Sequence, residues 1–266
     1  MDQTAPALSL ILPVYRGREQ APRTREALLP KLRALHESFE VVIVDDGSRD
    51  GTVDELRRLF GSDPEVRLIE LEQNHGKGYA VREGVRQSRG EVVAFTDFDL
   101  PYDPAGIRHF MAAIRAGNDV AIGSRRLFAS RYIVGPRHFN SLWIRHAMSG
   151  VFNWLVRALT GVKIHDTQCG LKAFHQRVAR QLFPQVTTDR FCFDVELLAR
   201  ARRLGFSITE LPVTYDYDGD APSTVRLVRD SLHMFIDLLR IRRKIARSKP
   251  PKATDPPPAS VARDTP

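Results

Sequence analysis

Two carboxylates one residue apart, Asp97 and Asp99, close the apolar run Val92-Val93-Ala94-Phe95-Thr96. Oxygen donors so placed suit a hard divalent ion such as Mg²⁺ or Mn²⁺, which bridges a diphosphate and neutralises a leaving group. Asp-x-Asp alone occurs by chance in many chains, so its companions decide its weight. Val41-Val42-Ile43-Val44-Asp45-Asp46-Gly47-Ser48-Arg49-Asp50-Gly51-Thr52 reads as a strand, a tight acidic turn and a helix start. Asp50 or Ser48 is placed there to accept the free N–H groups of the helix. Asn74-His75-Gly76-Lys77-Gly78 is a glycine loop opening a further helix. Backbone N–H groups and the helix dipole favour anions in such a setting, and Lys77 adds a point charge. The loop has neither the GxxxxGK[ST] of an NTPase nor the GxGxxG of a dinucleotide site, which weakens both of those functions.

The elements that must position these groups follow the apolar rhythm. Short apolar runs at 8–14, 39–44, 66–71 and 92–96 alternate with amphipathic stretches at 23–35, 52–60 and 78–87, a βαβα order. Near-continuous Val/Ile/Leu strands belong to sheets covered on both faces, so the expected fold is α/β and doubly wound. Ligands of such sheets sit at the strands' carboxyl ends. Tyr15, Asp45, Asp46, Asn74 to Lys77, Asp97 and Asp99 all fall there. Further strands are expected at 120–122, 171–174 and 208–213, a helix at 193–204, and a flexible Arg- and aromatic-rich loop after 125 that enters a helix near 141. From 224 to 247 Val228, Leu232, Phe235, Ile236 and Leu239 recur at helical spacing opposite Arg and Lys, which describes a basic amphipathic helix. The organisation expected is a catalytic domain over 1–223, the basic helix over 224–247, and a disordered Pro-rich tail over 248–266.

The chain has 266 residues and a formal net charge of +8, and seven Lys/Arg fall between Arg240 and Lys252 with no acid among them. Most of the excess charge therefore lies in one short segment that suits an anionic surface, and the body is nearly neutral. A nucleic-acid partner is not expected, because no aromatic stacking platform accompanies the basic segment. Cys169 and Cys192 are too few for a disulfide framework, which fits a reducing cytoplasm. The amino terminus lacks a basic region ahead of its apolar run and does not read as a signal peptide. No stretch approaches the about 18 apolar residues that cross a bilayer, so membrane contact is expected to be peripheral, on the cytoplasmic face.

Taken together, these motifs resemble glycosyltransferase family 2, whose fold is the nucleotide-binding GT-A type. The resemblance implies that Asp46 or its neighbour Asp45 accepts a hydrogen bond from the base, that Pro13 and Tyr15 line the same pocket, and that Lys77 and Asp97 border the nucleotide. The chain departs from the usual Tyr-Asn-Glu after the first strand, reading Tyr15-Arg16-Gly17-Arg18-Glu19. A narrower resemblance, to dolichyl- and polyprenyl-phosphate hexosyltransferases and above all the dolichyl-phosphate glucosyltransferase type, is carried by three motifs. They are Gly123-Ser124-Arg125, Asp166-Thr167-Gln168-Cys169-Gly170-Leu171-Lys172 and Phe193-Asp194-Val195-Glu196-Leu197-Leu198. That resemblance implies an acceptor-phosphate site formed by Arg125 with Arg145 and Ser149, which stand four residues apart on one helix face. Arg226 takes the place of a lysine that relatives carry.

These expectations assemble into an inverting hexosyltransferase. A nucleotide-sugar, UDP-glucose first and GDP-mannose second, would be held through a metal on Asp97 and Asp99 and attacked by a lipid phosphate. A phosphate monoester has its second pKa near about 6 and is largely dianionic at neutral pH, so it needs no general base. A hydroxyl acceptor would need one, with Asp166 the first candidate and Asp194 the second. Two other functions compete: a family 2 enzyme acting on a saccharide hydroxyl, and a non-catalytic nucleotide-sugar-binding regulator at a membrane surface.

Overall fold

The computed structural model describes residues 5–134, 139–190, 192–217 and 227–247; side chains at 134, 139–148, 217, 227–235 and 247 are left undescribed. Strand β1 (Leu8–Val14) is buried along its whole length. It lies between β2 (Phe39–Asp45) and β4 (Val92–Phe95), parallel to both, with β3 (Val66–Glu70) parallel beyond β2. Helices α1 (Ala21–Arg33), α2 (Thr52–Phe60) and α3 (Lys77–Gln87) make the crossovers, as the alternating pattern predicts. Side chains alternate across the sheet: Leu8, Leu10 and Leu12 pack with Leu28 and Leu32 of α1, whereas Ile11, Val42 and Val44 pack with Ala80, Val81 and Val85 of α3. Covering both faces explains why these strands read as continuous apolar runs.

The second half departs from simple winding. After α4 (Ile107–Arg115), β5 (Val120–Ser124), β6 (Arg131–Val134) and α5 (Phe139–Thr160), strand β7 (Lys172–His175) inserts between β4 and β5, antiparallel to both. The seven-stranded order is β3-β2-β1-β4-β7-β5-β8, where β8 (Ile208–Pro212) is parallel to β5. Strand β7 begins opposite Phe95, at the carboxyl end of β4, and runs back down the sheet, so Lys172 starts at the functional edge. Helices α6 (Gln176–Leu182) and α7 (Phe193–Arg203) follow β7, and β9 (Thr214–Tyr217) forms a separate two-stranded parallel sheet with β6. The stretch after 125, expected as a loop, thus contains a strand whose partner lies more than eighty positions away. Exposure of Arg131 and Ile133 in β6 hides it from any burial pattern. Helix α4 is also new, although Ile107, Phe110, Met111 and Ile114 are all buried at helical spacing and were there to be read.

Helix α8 (Leu227–Arg247) closes the described chain. Leu238 and Ile241 are buried with Val156 of α5 and Val195 of α7, and Lys244 Nζ donates to Thr187 Oγ1 at 2.6 Å. One face of α8 therefore packs on the domain, while Ile236 and Leu239 stay exposed. Residues 224–226 and 248–266 and the side chains of Val228, Leu232 and Phe235 lie outside the described residues. Among the described residues no helix is long and apolar enough to cross a membrane.

Candidate active site

Adjacent β-strand ends bring the first-half motifs together, but Asp45 and Asp46 have different surroundings. Asp45 Oδ2 accepts from the Ser48 N–H at 2.8 Å, and its Oδ1 is buried with no hydrogen-bond partner among the described residues. A buried carboxylate oxygen without a partner is costly and calls for a donor. Asp46 is saturated: its carboxylate accepts from Asn74 Nδ2 at 2.8 Å, from the His75 N–H at 2.9 Å and from the Gly76 N–H at 2.7 Å. Burial nevertheless pushes its carboxyl above the usual range. Asp46 thus ties the β2 turn to the loop before α3, and Asp45 has the free oxygen. Gly47 makes the juncture possible, with φ +73° and a notional Cβ only 2.4 Å from the Gln73 carbonyl carbon. Asp50, one residue before Gly51, the N-cap of α2, accepts from the Thr52 N–H at 3.2 Å. Tyr15 is exposed at the rim with the Arg16 guanidinium 5.2 Å from its ring centre, whereas Pro13 is buried within β1 opposite Val44.

The glycine loop differs from its expected use. Its His75 and Gly76 N–H groups are taken by Asp46, and the Gly78 N–H, at the start of α3, donates to the Asp189 carbonyl at 2.7 Å. The anion at this helix start is the protein's own, and the remaining cation is Lys77. Its ammonium lies 2.5 Å from Asp97 Oδ1. Close approach fixes this geometry, since a Cβ on Gly78 would meet the Phe193 Cβ at 2.6 Å.

The Asp97-Phe98-Asp99 segment is anchored by Phe98, whose carbonyl accepts from Thr24 Oγ1 of α1 at 2.8 Å and whose ring is buried. Gly170 packs against Asp97: a Cβ there would stand 2.1 Å from Oδ2, so only glycine leaves the carboxylate its place. Leu100 has φ +50°, a strained turn directly after the pair. Burial opposes ionisation of Asp97, but the Lys77 charge and hydrogen bond outweigh it and lower its pKa. The crowding of protein atoms and the Asp97 charge raise Asp99, itself still solvent-accessible, to about 6. Two carboxylates that raise each other's cost, one already carrying a cation, form a donor set that a divalent ion fits. Among the described residues no cluster of three or more such side chains occurs.

The candidate bases are already engaged. Asp166 receives Arg125 Nε at 2.7 Å, Arg125 Nη2 at 2.9 Å and the Arg125 N–H at 3.1 Å. Burial works against its charge, but these bonds prevail and hold its pKa below the usual range. It is a fixed anion that shapes Arg125, which differs from the base expected for a hydroxyl acceptor. Asp194, in the first turn of α7, accepts from Lys172 Nζ at 2.7 Å; Lys172 also donates to the Cys169 carbonyl at 2.6 Å and is fully buried. Glu196 binds Thr187, Thr188 and Arg200, fixing the loop before α7. Ser149 Oγ accepts from Arg126 at 3.3 Å. The Arg145 side chain and all of Arg226 lie outside the described residues.

The sequence reading missed the groups that join the two walls. The Tyr102 hydroxyl accepts from the Gly170 N–H at 3.2 Å, and its ring lies 5.5 Å from that of Tyr215. Tyr215 carries the Arg125 guanidinium 5.6 Å over its face, and the Asp216 N–H donates to the Pro101 carbonyl at 2.8 Å. Strand β9 thereby links the Asp99 loop to Arg125. Tyr215 gave no sequence signal, but Lys172 did: a lysine inside the apolar run 171–174 must be paired, and its partner is the pertinent question.

Comparison with known proteins agrees with this architecture. Residues 9–183 match the family model described as Glycosyl transferase family 2. A dolichyl-phosphate beta-glucosyltransferase of Dictyostelium discoideum is 33% identical over 248 residues, covering 88% of this chain and 73% of the relative. A polyprenol monophosphomannose synthase of Mycolicibacterium smegmatis is 31% identical over 211 residues, covering 77% of this chain and 76% of the relative. The crystal structure of glucosyl-3-phosphoglycerate synthase from Mycobacterium tuberculosis, in complex with Mn²⁺, UDP and glucosyl-3-phosphoglycerate, superposes with a TM-score of 0.64 at 17% identity, covering 92% of this chain and 81% of that one. The seven-stranded mixed sheet, with its acidic strand ends, is thus of the GT-A type, and the chain belongs to glycosyltransferase family 2.

Proposed function

We propose that the chain transfers a hexose, glucose in the first instance, from a nucleotide-sugar to a polyprenyl or dolichyl phosphate, with inversion at the anomeric carbon. The observation that carries the reading is Asp97 and Asp99 at the carboxyl end of β4, with Arg125 near enough for its charge to help lower the Asp97 pKa, in a chain 33% identical to a dolichyl-phosphate glucosyltransferase. UDP-glucose is the preferred donor and GDP-mannose the second, since a polyprenol monophosphomannose synthase is 31% identical.

Asp45 accepts a base N–H through its unpartnered Oδ1, and Asp46 holds the loop beside it. Asp97 and Asp99 would hold a divalent ion, Mn²⁺ or Mg²⁺, which supplies charge neutralisation for the departing diphosphate. Lys77 is in reach of the same diphosphate. An oxygen of the acceptor phosphate forms its bond to the anomeric carbon from the face opposite the leaving group. The bond from that carbon to the diphosphate breaks, and the electron pair leaves with the nucleotide. A single displacement inverts the centre, and no proton has to be removed from a dianionic phosphate. Arg125 fits acceptor-phosphate positioning, since Asp166 and Tyr215 hold its guanidinium at a fixed place, and Ser149 and Arg145 are assigned with it. Asp194 then serves as the counter-charge of Lys172 rather than as a base. The exposed face of α8, with Ile236, Leu239 and its arginines, suits peripheral contact with an anionic membrane surface.

Incubation with radiolabelled UDP-glucose or GDP-mannose and polyprenyl phosphate, followed by butanol extraction, tests the reading. Label in the organic phase is expected. Label confined to water-soluble saccharide, or no transfer, would overturn the lipid-phosphate acceptor.

A further inference from the structure

Asp97 already carries a cation. The Lys77 ammonium lies 2.5 Å from Asp97 Oδ1, and Lys77 is mostly buried, with 18% of its side chain exposed. Its backbone has little freedom to retreat. The Gly76 N–H is bound to Asp46, Gly76 itself sits at φ +109°, and the Gly78 N–H is bound to the Asp189 carbonyl. Lys77 thus reaches Asp97 from a fixed base, and only its side-chain torsions are free to redirect it.

A divalent ion on Asp97 and Asp99 would have to share the Asp97 carboxylate with the ammonium bound at Oδ1, and two cations on one carboxylate repel each other. An incoming diphosphate changes the balance. It offers the ammonium a new anionic partner within the swing of one lysine side chain, and it supplies the ion with further oxygens. We propose that Lys77 is an exchangeable counter-cation, occupying Asp97 in the free protein and ceding it to the divalent ion only when a nucleotide diphosphate arrives. Metal and donor then bind as a coupled pair, and coupling between binding equilibria is reciprocal: the nucleotide tightens the metal by the factor by which the metal tightens the nucleotide. The idea rests on Asp97 and Asp99 being metal ligands, as proposed above, and adds the expectation that the free protein holds metal less tightly than the nucleotide complex does.

Binding of Mn²⁺, followed through the electron paramagnetic resonance of the free ion with and without UDP and corrected for Mn²⁺–UDP pairing in solution, tests it apart from turnover. Lys77→Met and Lys77→Gln keep much of the stem and remove the charge; Lys77→Arg keeps the charge. Melting curves identify which variants are folded. With UDP absent, either neutral variant should bind Mn²⁺ about tenfold more tightly than the parent, and should gain less on adding UDP; Lys77→Arg should resemble the parent. Neutral variants no tighter than the parent, or a parent that binds Mn²⁺ equally with and without UDP, overturn the exchange and leave the metal site standing. A parent that binds no Mn²⁺ even with UDP overturns the metal site, and the exchange with it.

Discussion

Asp97 and Asp166 are both carboxylates beside a basic side chain, and the Arg125 charge acts on both, yet they are held differently. Asp97 stands at the end of a parallel strand, a third exposed, with one bond to a lysine that has few other ties. Asp166 is 2% exposed and receives three bonds from a single arginine. The contrast extends to their surroundings. The β1 to β4 side, proposed above as the donor wall, presents groups with capacity to spare: the buried free oxygen of Asp45, the raised carboxyl of Asp99 and the Lys77 side chain. The side proposed as the acceptor wall satisfies its charges internally, as Arg125 with Asp166 and Lys172 with Asp194. One wall is therefore arranged to be completed by a ligand, and the other to hold a shape against which the ligand reacts.

The sharpest way to break this contrast is at the donor wall. Asp97→Asn and Asp99→Asn should each lower transfer by about a thousandfold or more while remaining folded, because charge at the reacting diphosphate is lost without opening the core; Asp99→Asn should melt near or above the parent, and Asp97→Asn, which unpairs Lys77, somewhat below it. Near-parental turnover of either variant at limiting Mn²⁺ would remove that residue from the metal site.

At the acceptor wall the effect should fall on stability. Lys172→Met strands the Asp194 carboxylate in a buried setting and should cost about 3 kcal/mol in urea unfolding, with Asp166→Asn costing a comparable amount by unpairing Arg125. A variant Asp166→Asn that unfolds at the parental urea midpoint but loses nearly all turnover would instead make Asp166 a base.

A smaller effect is expected outside the cleft. Replacing Arg240, Arg242, Arg243 and Lys244 with Gln should reduce co-sedimentation with anionic vesicles, each surface cation contributing about 1 kcal/mol of attraction, and the parent's binding should weaken with salt. If the quadruple variant sediments like the parent, α8 serves the fold alone, through Leu238 and Ile241.

The least effect concerns pH. Asp99 is raised to about 6 in the folded protein, from 3.8. Between those values the native carboxyl keeps a proton that the unfolded chain releases, so this stabilising contribution is present at low pH and is lost as pH rises through about 6. In EDTA, the melting temperature of Asp99→Asn relative to the parent should therefore rise across that range. A difference that stays flat from about pH 4 to 7 would contradict the raised carboxyl.

How much of this was legible follows from the range of the interactions. Strand periodicity, the βαβα order and the acids that follow each apolar run are local properties, so the sequence alone determined the doubly wound half, β1 to β4, and the placing of Asp45, Asp46, Asp97 and Asp99 at its carboxyl edge. Burial forces the alternation that makes such strands readable, and the chain must turn where they end. Tertiary structure decided what each charge does. Nothing in the spacing of Asp45 and Asp46 says that one is saturated by the loop at 74–76 and the other left with a free oxygen, because the donors lie nearly thirty residues away. Likewise Asp166 reads as a base until Arg125, forty-one positions earlier, folds onto it, and Lys172 reads as a stray charge until the antiparallel insertion of β7 brings it to Asp194. An ion pair has no period; it is fixed by which strands become neighbours, and that choice is made only when the core closes.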